Sequence, residues 1–331
     1  MSQRLNISVV AATYDRVQAL RDGRVQIEGC DHTFLTTGHE QMFLRAIASA
    51  EYDVAELSMG SYLTSLARGE TAYVAIPVFL SRLFRHSAIY VREGAGITQP
   101  SDLAGKRVGV PEYQMTAALW ARGLLDDEYG VPPSAMHWFQ GGLQEPGRSE
   151  KVRLDLPPSI RMDAIQPAAT LEAMLLAGEL DALVTARTPP SFERGEPHVK
   201  RLFPNYRAAE KAYFAKTGIF PIMHVVVVRK ALAELHPWLA NAVFDAFREA
   251  KDLAVEHFSN VAAQRVTLPW FAAELEETRR VMGDDFWPYG VEANRKTLMP
   301  MFGYAHRHGM TKRQLTLEEI FAPSTLIEHK I

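Results

Sequence analysis

The chain has 331 residues, 47% of them hydrophobic and 23% charged, and its formal net charge of -3 offers no basic footprint for DNA or RNA. Its length exceeds that at which one hydrophobic core usually stops growing, so two domains are expected. The single cysteine, Cys30, excludes an internal disulfide and a cysteine-rich zinc site.

From Met1 the sequence runs directly into the β-favouring "LNISVVA" (5–11), with no basic segment, apolar stretch and cleavage site of an export signal. No run of about 18 apolar residues follows anywhere, so a cytoplasmic protein with no membrane partner is expected. "HEQMFLRAIASAEY" (39–52) has helical spacing, with Met42, Phe43, Ala46 and Ile47 on one face. A short strand (53–57), a small-residue turn through Ser58, Met59 and Gly60, and a helix ending at Gly69 come next. "PVFLSRLFRHSAIYV" (77–91) reads as one largely buried strand interrupted by Arg82, Arg85 and His86. Arginine is seldom fully buried unless paired, so internal carboxylates or an anionic ligand should meet these groups.

"RVGV" (107–110) is a buried strand before a helix that begins near Gln114. The segment 146–165, with its charges and Pro-Pro, breaks the rhythm and reads as a hairpin or a mobile flap. A helix (170–179), a strand (180–186), the strongly β-favouring 219–230 and an amphipathic helix (236–258) follow, the last with Trp238, Val243, Phe244, Phe247 and Leu253 near one face. Strands alternating with helices imply an α/β fold with mostly parallel sheets. "GAG" (94–96) lacks the third glycine of a dinucleotide fingerprint, and no Walker loop, lysine-centred cofactor motif or nucleophile elbow occurs, so no organic cofactor is expected. "HRH" (306–308) has metal-like spacing but no accompanying carboxylate, and reads as solvated surface. No spaced ligand motif assigns a metal, and a divalent ion is left open. Trp287 and Tyr289 either close over a ring or anchor the C-terminal helices.

Several runs in this order, "YDVAELSMGSYL", "SDLAGKRVGVPEYQMTAALWARG", "LDALVTAR" and "HVVVVRKALAELHPW", resemble the type II periplasmic-binding-protein fold. "LSRLFRHSAIYV", "PEYQMTAALWARG" and "LTLEEIFAP" together are similar to the 4,5-dihydroxyphthalate decarboxylase family, and the resemblance covers essentially the whole chain. It implies two α/β lobes, 1–92 plus 222–331 and 93–221, joined by two crossing strands with a ligand cleft between them. It also implies a carboxy-lyase of phthalate degradation that converts 4,5-dihydroxyphthalate to 3,4-dihydroxybenzoate and carbon dioxide. A solute-binding protein of an ABC transporter, its export signal trimmed, and a decarboxylase of a related aromatic acid are the alternatives. The partner expected is a small aromatic dicarboxylate, and oligomeric state is open, a homo-oligomer included.

Direct loss of carbon dioxide would leave an aryl anion whose lone pair lies in the ring plane, unconjugated. Protonating the ring carbon first avoids it, so the site needs a proton donor, a group sharing the hydroxyl proton, and cations for the carboxylate that stays. His86 and His224, where the crossing strands pass the cleft, are candidate donors, with Glu112 an alternative acid if desolvated. Arg82 and Arg85 are expected to grip carboxylate, a bend near Leu83 bringing both to one ligand. The helix opening with Tyr113, Gln114 and Thr116 offers backbone N–H groups to an anion, and Ser58 and Met59 face it from the other lobe. Tyr14 and Asp15 end the first strand similarly, and Arg187 is a third cation.

Overall fold

A computed structural model describes residues 4–258, 264 and 266–326. The described residues form eleven strands, β1 (Leu5–Val10), β2 (Cys30–Leu35), β3 (Val54–Ser58), β4 (Tyr73–Arg82), β5 (Ile89–Arg92), β6 (Arg107–Val110), β7 (His137–Gln140), β8 (Arg161–Ala164), β9 (Ala182–Val184), β10 (Val199–Arg201) and β11 (Ile222–Arg229); seven of them overlap the strand runs read from the sequence, and β2, β7, β8 and β10 do not. They form two sheets, ordered β2-β1-β3-β11-β4 and β10-β5-β9-β6-β7-β8. In the first, β1 is parallel to β2 and β3, while β11 runs antiparallel between β3 and β4. In the second, β9, β6, β7 and β8 are parallel, with β5 and β10 added antiparallel at one side. Both sheets are therefore mixed, and β5, on the near side of the expected boundary at residue 92, hydrogen-bonds in the second sheet.

The stretch 77–91 is not one strand. The first sheet ends at Arg82, residues 83–85 are irregular, and a single 3-10 turn (His86–Ala88) leads into β5 of the other sheet. The return lies beside the exit: Ile222 pairs with Arg82, and Leu83 N–H donates to Pro221 O at 3.1 Å. Residues 141–160 are not a hairpin either, because β8 is parallel to β7 and the segment is a crossover.

The helix Thr116–Tyr129 lies where the two sheets meet, with Trp120 buried and its Nε1–H donating to Ile222 O at 2.8 Å. A methyl group at Gly123 would collide with the Tyr304 ring, so the helix Arg295–Arg307 packs there against bare backbone. Trp238, expected on the apolar face of 236–258, precedes the helix Leu239–Phe258 and stays 42% exposed, whereas Val243 and Phe247 are buried. No helix among the described residues is long and apolar enough to cross a membrane.

Candidate active site

Glu56 lies in β3, between β1 and β11, where every residue of the strand is buried. A carboxylate sealed in this way must be hydrogen-bonded. Its Oε2 accepts from the Ala12 backbone N–H at 2.9 Å, just beyond β1. Its Oε1 accepts from the Tyr14 hydroxyl at 2.7 Å and from His224 Nδ1–H at 2.6 Å. Register explains the last contact: Val226 pairs with Glu56 and His224 with Ser58, so His224 stands one pleat further along the same face. Burial pushes the Glu56 carboxyl up, but the bond and charge of His224, with the Ala12 and Tyr14 donors, outweigh it and hold the group below the usual carboxylate range.

His39, the first residue of the helix His39–Ser49, brings Nε2 to 2.8 Å from the Tyr14 oxygen and 3.7 Å from Glu56 Oε1. Its ring lies 5.2 Å from that of His224, which meets Phe43 edge-on at 5.0 Å. Burial lowers the His39 pKa against the pull of Glu56, and His224 and Arg187 lower it further. Burial and then Glu56 raise that of Tyr14, whose ring carries the Arg16 guanidinium at 4.1 Å. His39, Glu56 and His224 also place one ligand atom each within 4.8 Å of one another, a two-histidine, one-carboxylate set of the kind that holds divalent ions.

The second sheet supplies the cations. Arg148, in the crossover after β7, and Arg187, after β9, both donate to Glu40 Oε1, at 2.9 Å and 2.8 Å. Arg148 is held from behind, its Nε donating at 2.8 Å to the buried Glu112, which also pairs with Lys151 and accepts from Gln114 Nε2 at 2.9 Å. Glu150 accepts from the backbone N–H groups of Tyr113 and Gln114, so an internal carboxylate fills the anion position expected at this helix opening. Burial pushes Glu150 up to about 7. The lobes touch where Thr116 Oγ1 accepts from Gly60 N–H at 2.8 Å and meets Ser58 Oγ at 2.9 Å.

Of the residues expected at the site, Tyr14 and His224 converge on Glu56, while Ser58, Glu112, Gln114, Thr116 and Arg187 line the meeting of the two sheets; the Tyr113 ring is instead buried against Trp138 and Arg122, its hydroxyl donating to His308 O at 3.1 Å. The others go elsewhere. Arg82 donates to Phe220 O at 3.1 Å, to Pro288 O at 2.8 Å and to Asn294 Oδ1, so carbonyl and amide oxygens take the place expected of a carboxylate. Buried Arg85 meets Met223 Sδ at 3.1 Å. His86 packs edge-on against Phe203 and Tyr213, its Nδ1 has no hydrogen-bond partner among the described residues, and burial pushes its pKa down to about 4, which leaves it neutral. Met59 is a core residue, and Asp15 pairs with Arg16 at 2.9 Å. His308, read as solvated, is buried against Tyr304 and 3.1 Å from Asp126. Trp287 is an anchor, its Nε1–H donating to Phe79 O at 2.9 Å.

Sequence reasoning passed over Glu56, His39, Glu40, Arg148, Glu150 and Lys151. One signal was available for Glu56: it is the lone acid in "VAELS", a strand with no polar alternation to turn it outward.

The chain is 42% identical over 328 residues to a Comamonas testosteroni protein named 4,5-dihydroxyphthalate decarboxylase, covering 99% of each. The chain belongs to the 4,5-dihydroxyphthalate decarboxylase family. A Pseudomonas putida decarboxylase of the same name is 42% identical over 211 residues, 64% of this chain and 82% of that protein. No family model matches. Among solved structures, the family's fold is that of the Escherichia coli periplasmic aliphatic sulphonate binding protein SsuA, with a TM-score of 0.53, 14% identity, and coverage of 98% of this chain and 99% of that one. Protein AF1704 from Archaeoglobus fulgidus matches with a TM-score of 0.50 and 14% identity, over 92% of this chain and 98% of its own. Carboxy-lyase chemistry in this family is thus carried on a two-lobed solute-binding-protein fold.

Proposed function

We propose that this chain catalyses the non-oxidative decarboxylation of 4,5-dihydroxyphthalate to 3,4-dihydroxybenzoate and carbon dioxide. Full-length family membership carries the reading, and the Glu56–His224 pair supplies a matching chemistry. An ionised, buried carboxylate on Nδ1–H supports a proton on the ring's second nitrogen, and the side chain keeps 18% of its surface open. His224 gives that proton to the ring carbon bearing the departing carboxylate, while the para hydroxyl yields its proton to His39. The electrons of the breaking C–CO2 bond then restore aromaticity, carbon dioxide leaves, the oxygen recovers its proton and solvent reprotonates His224. Arg148 and Arg187 hold the carboxylate that stays.

Chelator-treated protein incubated with 4,5-dihydroxyphthalate should release 3,4-dihydroxybenzoate and carbon dioxide in equal amounts. Glu56→Gln and His224→Asn should each lower kcat about 10²- to 10⁴-fold while phthalate still binds. Full turnover in both variants would remove the pair from the chemistry. The geometry of His39, Glu56 and His224 favours one second reading, in which a divalent ion occupies the triad. Activity lost on chelation and restored by Mn2+ or Zn2+ would select it.

A further inference from the structure

We propose that Glu40 is an internal stand-in for substrate: its carboxylate occupies the seat that one carboxylate of an aromatic 1,2-dicarboxylate takes on Arg148 and Arg187, and the incoming ligand displaces it. The inference rests on the carboxylated substrate proposed above.

The seat is built from the second lobe and its present occupant comes from the first. Arg148 is turned by Glu112, which is 2% exposed and takes Nε and Nη2, so that Nη1 alone is left to face Glu40. Arg187 brings Nη2 to the same oxygen of Glu40. Two guanidiniums from separate segments meeting one carboxylate oxygen make a pocket of donors that would suit another carboxylate equally. The bonds are also of the exchangeable kind. The Glu40 side chain is 48% exposed and that of Arg187 70%, and pairs this open to water are weak. The bond from Arg148 to Glu112, whose carboxylate is sealed from solvent, is the one expected to persist.

The position is also right for the chemistry. Glu40 follows His39 in the first turn of the helix His39–Ser49, and His39 reaches the Tyr14 hydroxyl oxygen at 2.8 Å. A carboxylate exchanged into the seat would stand at the same helix end as His39, which joins the Tyr14–Glu56–His224 group. After carbon dioxide leaves, the product holds one carboxylate where the substrate held two, so Glu40 competes with it on better terms and returns to the arginines as product departs.

The test is titration calorimetry with phthalate, a dianion that lacks the hydroxyl groups needed for reaction, on the full chain. Glu40→Gln should bind phthalate about fivefold more tightly than the wild type, and its KM for 4,5-dihydroxyphthalate should fall in parallel. Arg187→Gln should bind phthalate about tenfold more weakly. In the Arg187→Gln background, Glu40→Gln should give at most half the gain, because the contested donor is gone. Weaker phthalate binding by Glu40→Gln would overturn the proposal, as Glu40 would then be holding substrate. An equal gain in both backgrounds would also overturn it, because the effect would be that of net charge alone. A wild type that turns over 4,5-dihydroxyphthalate but does not bind phthalate refutes the seat only. One that binds phthalate without turning over the dihydroxy acid refutes the decarboxylase reading, and the variants still report on the seat.

Discussion

Arg82 and Glu56 are both buried charges, and their surroundings make them opposite cases. The Nη1 and Nη2 groups of Arg82 are matched by fixed carbonyl and amide oxygens, and its guanidinium lies by the faces of Phe79 and Phe220. Glu56 is matched by two side chains that themselves carry exchangeable protons, Tyr14 and His224. Only the second arrangement can pass a proton on. The chain showed where charge sat among apolar residues, but whether its partner was backbone or another titratable group depends on contacts 168 residues apart, as for His224 and Glu56. His86 gives a pH prediction at this scale. Its pKa of about 4 lies below the ordinary 6.5, so the unfolded chain binds the proton more readily, and stability falls as pH drops from about 6.5 toward 4. His86→Gln should remove about 2 to 3 kcal/mol of that loss, read as the difference in urea unfolding between pH 7 and pH 4.5. An undiminished acid dependence would place the responsible proton elsewhere.

Among the elements, the alternation of strand and helix was legible where a strand is a short apolar run, as in β3 and β11, and not where it is short and polar, as in β8 (RMDA) and β10 (VKR). The run 77–91 was misread for a specific reason: the break at Leu83–His86 contains neither glycine nor proline, and the strands on both sides are apolar. Two strands of different sheets then look like one. The change from strand to helix at 58–60 was legible, but no separate turn intervenes: Ser58 ends β3 and Met59 and Gly60 open the helix Met59–Ala67. Gly60 N–H donates to Thr116 Oγ1, and a methyl group on Gly60 would collide with the Gln114 carbonyl oxygen. Gly60→Ala should therefore force the starts of the helices Met59–Ala67 and Thr116–Tyr129 apart and lower kcat/KM for 4,5-dihydroxyphthalate about tenfold or more, a loss that misplacement of the lobes would give. Wild-type kinetics in that variant would mean the contact between Gly60 and Thr116 is dispensable.

For the molecule as a whole, the resemblance led to the two-lobed α/β fold, while the degree to which the lobes share a core was not legible. The largest apolar cluster takes Leu57, Ile222 and Val225 from the first sheet together with Val108, Val110 and Trp138 from the second. Packing of this extent couples the lobes, so calorimetry should give one unfolding transition whose van't Hoff and calorimetric enthalpies agree. Two resolved transitions would show that the lobes melt separately.

Strand β11 lies between β3 and β4, yet it is translated only after the entire second sheet. On the ribosome, β4 is thus complete long before the strand that joins it to β3 exists. At a synthesis rate of about 5 to 20 residues per second, that interval is roughly 7 to 30 s, during which two buried-type strands expose unpaired edges. The nascent chain is a natural client for a holding chaperone, and its yield in a heterologous host should depend more on this wait than on the stability of the finished protein.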